Sequence, residues 1–160
     1  MTKAEIHQRF IQQLSDELET ITAAAKNTFD VATHEESQAK SKYDTFGLES
    51  SYLARGQALR VEELTGALQR MHALPLLAFG PKTGIDLSAL VRLGAADGTH
   101  QTLFISPVGG GEEIMVDDEE IIIVTPSSPL GRAVMSKVPG AKVEMMMGGV
   151  TQQFTVLSVE

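Results

Sequence analysis

No proline occurs in the first 74 residues; the first is Pro75. Proline removes a backbone donor and clashes with the preceding helical turn, so a run this long without it permits long, unbroken helices. The same stretch has only three glycines, Gly47, Gly56 and Gly66, and it is rich in Ala, Gln, Glu, Leu and Lys. These are the residues that lose least on entering a helix.

Spacing supports the same conclusion. Ile11, Leu14, Leu18, Ile21, Ala25 and Thr28 follow one another at alternating steps of three and four, which places them along one stripe of a helix. Thr2, with Glu5 three residues on, has the pattern of a capping box at its start. A second stripe runs through Val61, Leu64, Leu68 and Met71, extends backwards less regularly through Leu53, Tyr52 and Phe46, and meets its stop at Pro75. Between the stripes, residues 27–36 replace the leucine pattern with β-branched and capping residues, and the reversal is expected there. Two narrow stripes joined by a polar turn predict an antiparallel helical hairpin, a coiled coil, over residues 1–76. At ~1.5 Å per residue its first arm reaches about 40 Å, so the turn is expected far from the rest of the protein.

The pattern changes at Phe79-Gly80-Pro81. Beyond it, residues 87–93, 101–105, 120–125, 141–147 and 153–159 are rich in β-branched and apolar residues bounded by turn formers, the signature of strands. Gly148-Gly149 reads as the turn of a hairpin joining the last two. One short helix is expected over 128–136, with Ser127 or Ser128 as cap and Pro129 in its first turn. Residues 80–160 thus form an antiparallel sheet crossed by one helix, and the chain as a whole is α+β with two domains, 1–76 and 80–160.

Composition narrows the function. The absence of cysteine excludes a disulfide framework and a thiolate metal site. No stretch approaches the roughly 20 apolar residues of a membrane span, and the N-terminus lacks the basic flank and apolar run of a signal peptide; a soluble, cytoplasmic protein is expected. Thirteen Lys and Arg against 21 Asp and Glu leave a net charge of -8, which repels phosphate backbones. The expected partner is a basic protein surface rather than free nucleic acid.

Several local motifs have plain structural readings. Gly109-Gly110-Gly111 lacks the Lys-Ser/Thr of a phosphate loop and precedes Glu112-Glu113, so it reads as a loop connection. The acids at 117–120 lack calcium-loop spacing and read as a solvated turn. Met145, Met146 and Met147 read first as core and edge packing and second as adaptable partner contact, and Tyr43, Phe46 and Tyr52 as packing against the first helix ahead of direct RNA stacking. Lys40 and Lys42 read as solvated or as contacts to an acidic partner, and Gly47 as a kink. His7, His34, His72 and His100 are too scattered for a ligand pair, and no nucleophile has a base near it in sequence.

A long helical hairpin followed by a small sheet domain resembles the Gre family of bacterial transcription elongation factors. The more specific similarity lies in residues 123–144, reading IVTPSSPLGRAVMSKVPGAKVE, which looks like that family's strand, Ser-Pro-led helix, glycine turn and strand. Gly148-Gly149 and the run from Gln153 resemble its closing hairpin. The resemblance implies an FKBP-like C-terminal domain that binds RNA polymerase, with Ser127, Ser128, Pro129, Leu130, Gly131 and Arg132 at the contact. It also implies a hairpin inserted into the polymerase secondary channel, touching the RNA 3′ end only inside that complex. The family's tip presents an Asp and a Glu two residues apart that help the polymerase hold a second magnesium ion against backtracked RNA. Here Asp30, Glu35 and Glu36 are the candidates, Glu35 and Glu36 as metal ligands, with Ala32 or Thr33 standing where the family's Asp would be. No cofactor of the protein's own is implied, and a monomer is expected.

Three functions therefore compete. The first is a polymerase accessory factor that either stimulates transcript cleavage or occupies the channel as a non-cleaving regulator and competitor of Gre factors. The second is a peptidyl-prolyl isomerase, which needs an aromatic-lined pocket that Phe104 and Phe154 alone supply poorly. The third is a helical self-association module paired along the Ile11–Ile21 stripe.

Overall fold

The computed structural model describes residues 1–38 and 45–160, with the backbone alone for 32, 35–38, 45–50 and 147. Two long helices come first, α1 (Lys3–Gln38) and α2 (Thr45–His72). They are followed by β1 (Leu90–Ala95), β2 (His100–Ile105), β3 (Glu113–Val116), β4 (Glu119–Val124), α3 (Pro129–Val134), β5 (Lys142–Met147) and β6 (Val150–Val159). Packing divides the chain into two compact units: Met1–Ile11 with Arg70–Glu160, and Gln12–Gln69. The outer ends of both helices thus belong to the sheet unit.

In the sheet unit the strand order is β3-β4-β2-β1-β6-β5. Neighbours are antiparallel except β2 and β4, which pair in parallel with Phe104 opposite Ile123. The sheet is therefore mixed rather than wholly antiparallel. The cause is β3, a four-residue strand that sequence pattern did not reveal because it is short and flanked by acids and glycines. It forms a two-residue hairpin with β4 through Asp117 and Asp118, both at positive φ, and this reversal returns β4 alongside β2 in the same direction. The expected strand at 87–93 also begins later, because Ser88 takes a φ of 67° and its N–H donates to the Ile105 carbonyl at 2.8 Å.

Both faces of the sheet are covered. On one, Val91, Leu93, Leu103, Ile105, Val143, Phe154 and Val156 form a core with Val134 of α3. On the other lie Phe104, Ile114, Ile121 and Ile123, and the helix ends contribute Ile6, Phe10, Met71 and Leu74, all buried. The His7 ring sits 6.4 Å from that of Phe104 and its Nε2 is 2.9 Å from the Met71 carbonyl oxygen. Lys3 donates to the Leu77 carbonyl and lies 4.8 Å over the Phe79 ring, tying the start of α1 to the segment after α2. The capping box forms as expected: Glu5 N–H donates to Thr2 Oγ1, and Thr2 N–H to the Glu5 carboxylate.

In the helical unit the expected stripes are largely the inward faces. Leu14, Ala54 and Leu64 are buried, and Leu18, Ile21, Ala25, Thr28, Val61 and Leu68 are half-buried. Arg60 of α2 bridges to Glu17 of α1 at 2.6 Å. Two expectations fail. Residues 27–36 are not a turn, because α1 continues as helix to Gln38; the β-branched residues there cost too little to end a helix, and Thr28 Oγ1 simply donates to the Ala24 carbonyl one turn back. The backward extension of the second stripe also fails: Tyr52 and Leu53 are 67% and 57% exposed, and Ala54 takes the inward position. Three-and-four steps back from Leu64 through Val61 and Gln57 reach Ala54, so Tyr52 points to solvent. Tyr43, Lys40 and Lys42 lie outside the described residues, and so does the side chain of Phe46.

Candidate docking site beside α3

The loop from β4 into α3 is built by serine, proline and glycine, each for its own reason. Ser128 caps the helix: its Oγ accepts from Gly131 N–H at 3.0 Å and donates to the Thr125 carbonyl at 2.8 Å. Pro129 occupies the first turn, where its missing N–H costs nothing. Gly131 is required by contact, since an added Cβ would lie 1.9 Å from the Thr125 carbonyl oxygen. The three residues pull α3 against the end of β4 and turn the next side chain, Leu130, along the sheet.

There Leu130 lines a cleft of about 310 Å³ with Gln101, Ile122, Pro129, Glu144, Met145 and Met146. Its floor joins the core through Leu130, Ile122 and Met145, while Met146 is 79% exposed. Glu144 on the rim accepts from Gln153 Nε2 at 2.8 Å. Arg132 is exposed, and its guanidinium donates back to the Ser127 carbonyl. The wall on one side is β5, an edge strand of the sheet. An adaptable apolar floor with a few polar groups at the rim suits a protein surface better than a reactive small molecule. No aromatic residue lines it. Of the six residues expected at the contact, Pro129 and Leu130 line the cleft, Ser128 and Gly131 shape the loop leading into it, and Ser127 accepts from Arg132. Met145 and Met146, singled out in sequence as packing or partner contact, complete the lining, and sequence reasoning missed Gln101 and Ile122, which only strand pairing brings there.

The acids singled out in sequence are placed differently. Asp30 is exposed on α1, and the backbones of Glu35 and Glu36 lie in the same helix rather than in a turn. Among the described residues, no three His, Asp or Glu side chains are grouped so as to hold a metal ion. Nor is any described helix long and apolar enough to cross a membrane.

A second group of polar residues surrounds Glu119 on the other face of the sheet. Glu119 accepts from the Thr102 hydroxyl and from Arg92 at 2.9 Å, and the hydroxyl first, the guanidinium second, hold its carboxyl below the usual range. Glu120 is pushed up by its hydrogen bond to Glu113, then by the charge of that same neighbour. The first effect ties β4 to β2 and β1, and the second lies within the β3–β4 hairpin; both mark a structural network of the sheet rather than a reactive centre.

No protein-family model matches the sequence, and no curated protein matches it. Among solved structures the chain is similar to GreA factor homolog 1 (Gfh1) of Thermus thermophilus, with 19% identity, coverage of 94% of each chain and a TM-score of 0.39. A structure described as the transcription factor Gfh1 gives 18% identity over 94% of this chain and 93% of that one, at a TM-score of 0.41. The prokaryotic transcription elongation factor GreA/GreB from Nitrosomonas europaea gives 17% identity over 62% of this chain and 78% of that one, at 0.38.

Proposed function

We propose that the chain is an accessory factor of a bacterial RNA polymerase, docking through the cleft beside α3 and entering the secondary channel with its two-helix segment. The observation that carries this reading is the local build of 123–144. The residues that resemble the Gre family in sequence fold as a strand, a Ser128-capped helix pressed onto Thr125 through Gly131, a glycine turn at Gly140 and a strand. They leave an apolar, partly exposed cleft where the resemblance implies polymerase contact. The acidic net charge fits docking on basic protein surface.

Of the two variants, the non-cleaving regulator is favoured. Holding a magnesium ion jointly with the polymerase requires carboxylates at the reversal, yet Asp30, Glu35 and Glu36 sit within α1. Residues 39–44, between the two helices, read Ala-Lys-Ser-Lys-Tyr-Asp, with two lysines and one acid. The isomerase reading loses support because the cleft has no aromatic wall.

The test is binding to purified core polymerase. Met146→Glu, on a side chain that packs little, is expected to weaken binding at least ~10-fold with unchanged thermal stability. Failure of the wild type to bind core enzyme would reject the reading outright. On stalled complexes, RNA shortening that disappears in the Asp30→Asn, Glu35→Gln, Glu36→Gln triple variant would replace the regulator with the cleavage factor.

A further inference from the structure

The outward face of α2 carries a pattern that nothing inside the chain explains. At 100° per residue, Tyr52, Leu59 and Gly66 recur every seven residues along one line, with Gly56 and Glu63 beside it and Arg55 and Glu62 on its flank. Tyr52 and Leu59 are 67% and 55% exposed. Gly56 and Gly66 stand in the interior of the helix, where glycine is the costliest residue after proline. Around both, an added Cβ would meet nothing within 4 Å, so no contact among the described residues demands them. Two glycines, Gly56 exposed and Gly66 half-buried, alternate with two exposed apolar side chains and make holes and knobs along this face.

We infer that this face pairs with the same face of a second copy of the chain, antiparallel, about a two-fold axis through Leu59. The reason to choose a second copy over another helix is self-complementarity, which a two-fold contact requires because each residue meets its symmetry counterpart. Seven residues to either side of Leu59 stand Tyr52 and Gly66, so the ring of one copy enters the gap left by the glycine of the other. On one flank Arg55, four residues before Leu59, and Glu62, three after it, come together across the axis as an opposite-charge pair formed twice. On the other flank Gly56 of one copy lies opposite Glu63 of the other, so that carboxylate, held by Arg60 of its own helix, is not crowded against a side chain. Size and charge are both inverted across the same centre.

The paired surface is one helix face a few turns long, small for a permanent dimer, so association is reversible and concentration-dependent. It differs from pairing along the Ile11–Ile21 stripe, which faces inward in the helical unit. It does not rest on the polymerase reading, and polymerase binding by the monomer is unaffected if it fails.

Sedimentation velocity of the full chain across the micromolar range tests it, with circular dichroism confirming that each variant keeps its helix. A monomer–dimer equilibrium is expected for the wild type, abolished by Leu59→Glu. Arg55→Glu or Glu62→Arg alone should raise the dissociation constant about 10-fold, and the two together should restore it. Gly66→Ala should raise the thermal midpoint of the monomer while weakening the dimer, a combination that damage to the fold would not produce. A monomer at every concentration, a dimer indifferent to Leu59→Glu, or single charge variants not rescued by the double overturns the inference.

Discussion

Gly131 illustrates how one atom's worth of space can carry a fold. With Thr125 O only 1.9 Å from where a Cβ would stand, the obstacle is backbone and cannot rotate away. Gly131→Ala should therefore cost about 3 kcal/mol, the upper range of overpacking, read from the urea midpoint, and should open the cleft beside α3. Gln57 is the opposite case, a polar group where an apolar one would serve. Its Oε1 is buried and has no hydrogen-bond partner among the described residues, and leaving an acceptor unpaired costs about 1 kcal/mol or more. Gln57→Leu is expected to raise the thermal midpoint of the helical unit. A fall instead would mean that the amide has a partner the described contacts omit.

The β3–β4 hairpin gathers carboxylates whose responses to pH have opposite signs. Glu119 is held below its usual range by Thr102 and Arg92, so its contribution is fully present above the unfolded pKa and is lost as pH falls through the lowered folded value. Glu120 is held above its usual range by Glu113, so it favours the folded state only when protonated and opposes it as pH rises through the raised value. Glu120→Gln should consequently stabilise the protein at neutral pH, and that gain should vanish below about pH 4, where an ordinary glutamate protonates. Thermal melts of variant and wild type at both pH values check the sign. The hairpin turn, Asp117-Asp118, holds two residues at positive φ, where Asp is tolerated better than most side chains.

Across the molecule, the division into units runs through the helices rather than between the helices and the sheet. Ile6 and Phe10 from the start of α1, and Met71 from the end of α2, are fully buried in the sheet unit. Phe10 lies so near Gly109 that a Cβ there would be 2.3 Å from its ring. A fragment of residues 80–160 lacks all three side chains and exposes the Phe104–Ile121–Ile123 face. It is expected to unfold without the cooperative transition expected of the full chain. Within the full chain, Phe10→Ala should cost about 3 to 5 kcal/mol. A sharply melting fragment would show that the helix ends are accessory to that fold.

Much of this was legible along the chain. Helices follow from seventy-odd residues without proline and from apolar spacing, the cap of α3 from Ser128-Pro129, and most strands from β-branched runs, because these depend on neighbours within a few positions. The end of α1 was misjudged for the same reason: threonine and valine weaken a helix slightly, and a local tally weighs them too heavily where the surrounding helix continues. Strand β3, the parallel pairing of β2 with β4, and the exposure of Met146 were beyond reach, since each depends on which strand lies beside which. So did the burial of Phe10 against Gly109, nearly a hundred residues apart. Periodicity assigns a side chain to a face, and only packing between distant segments establishes what that face meets.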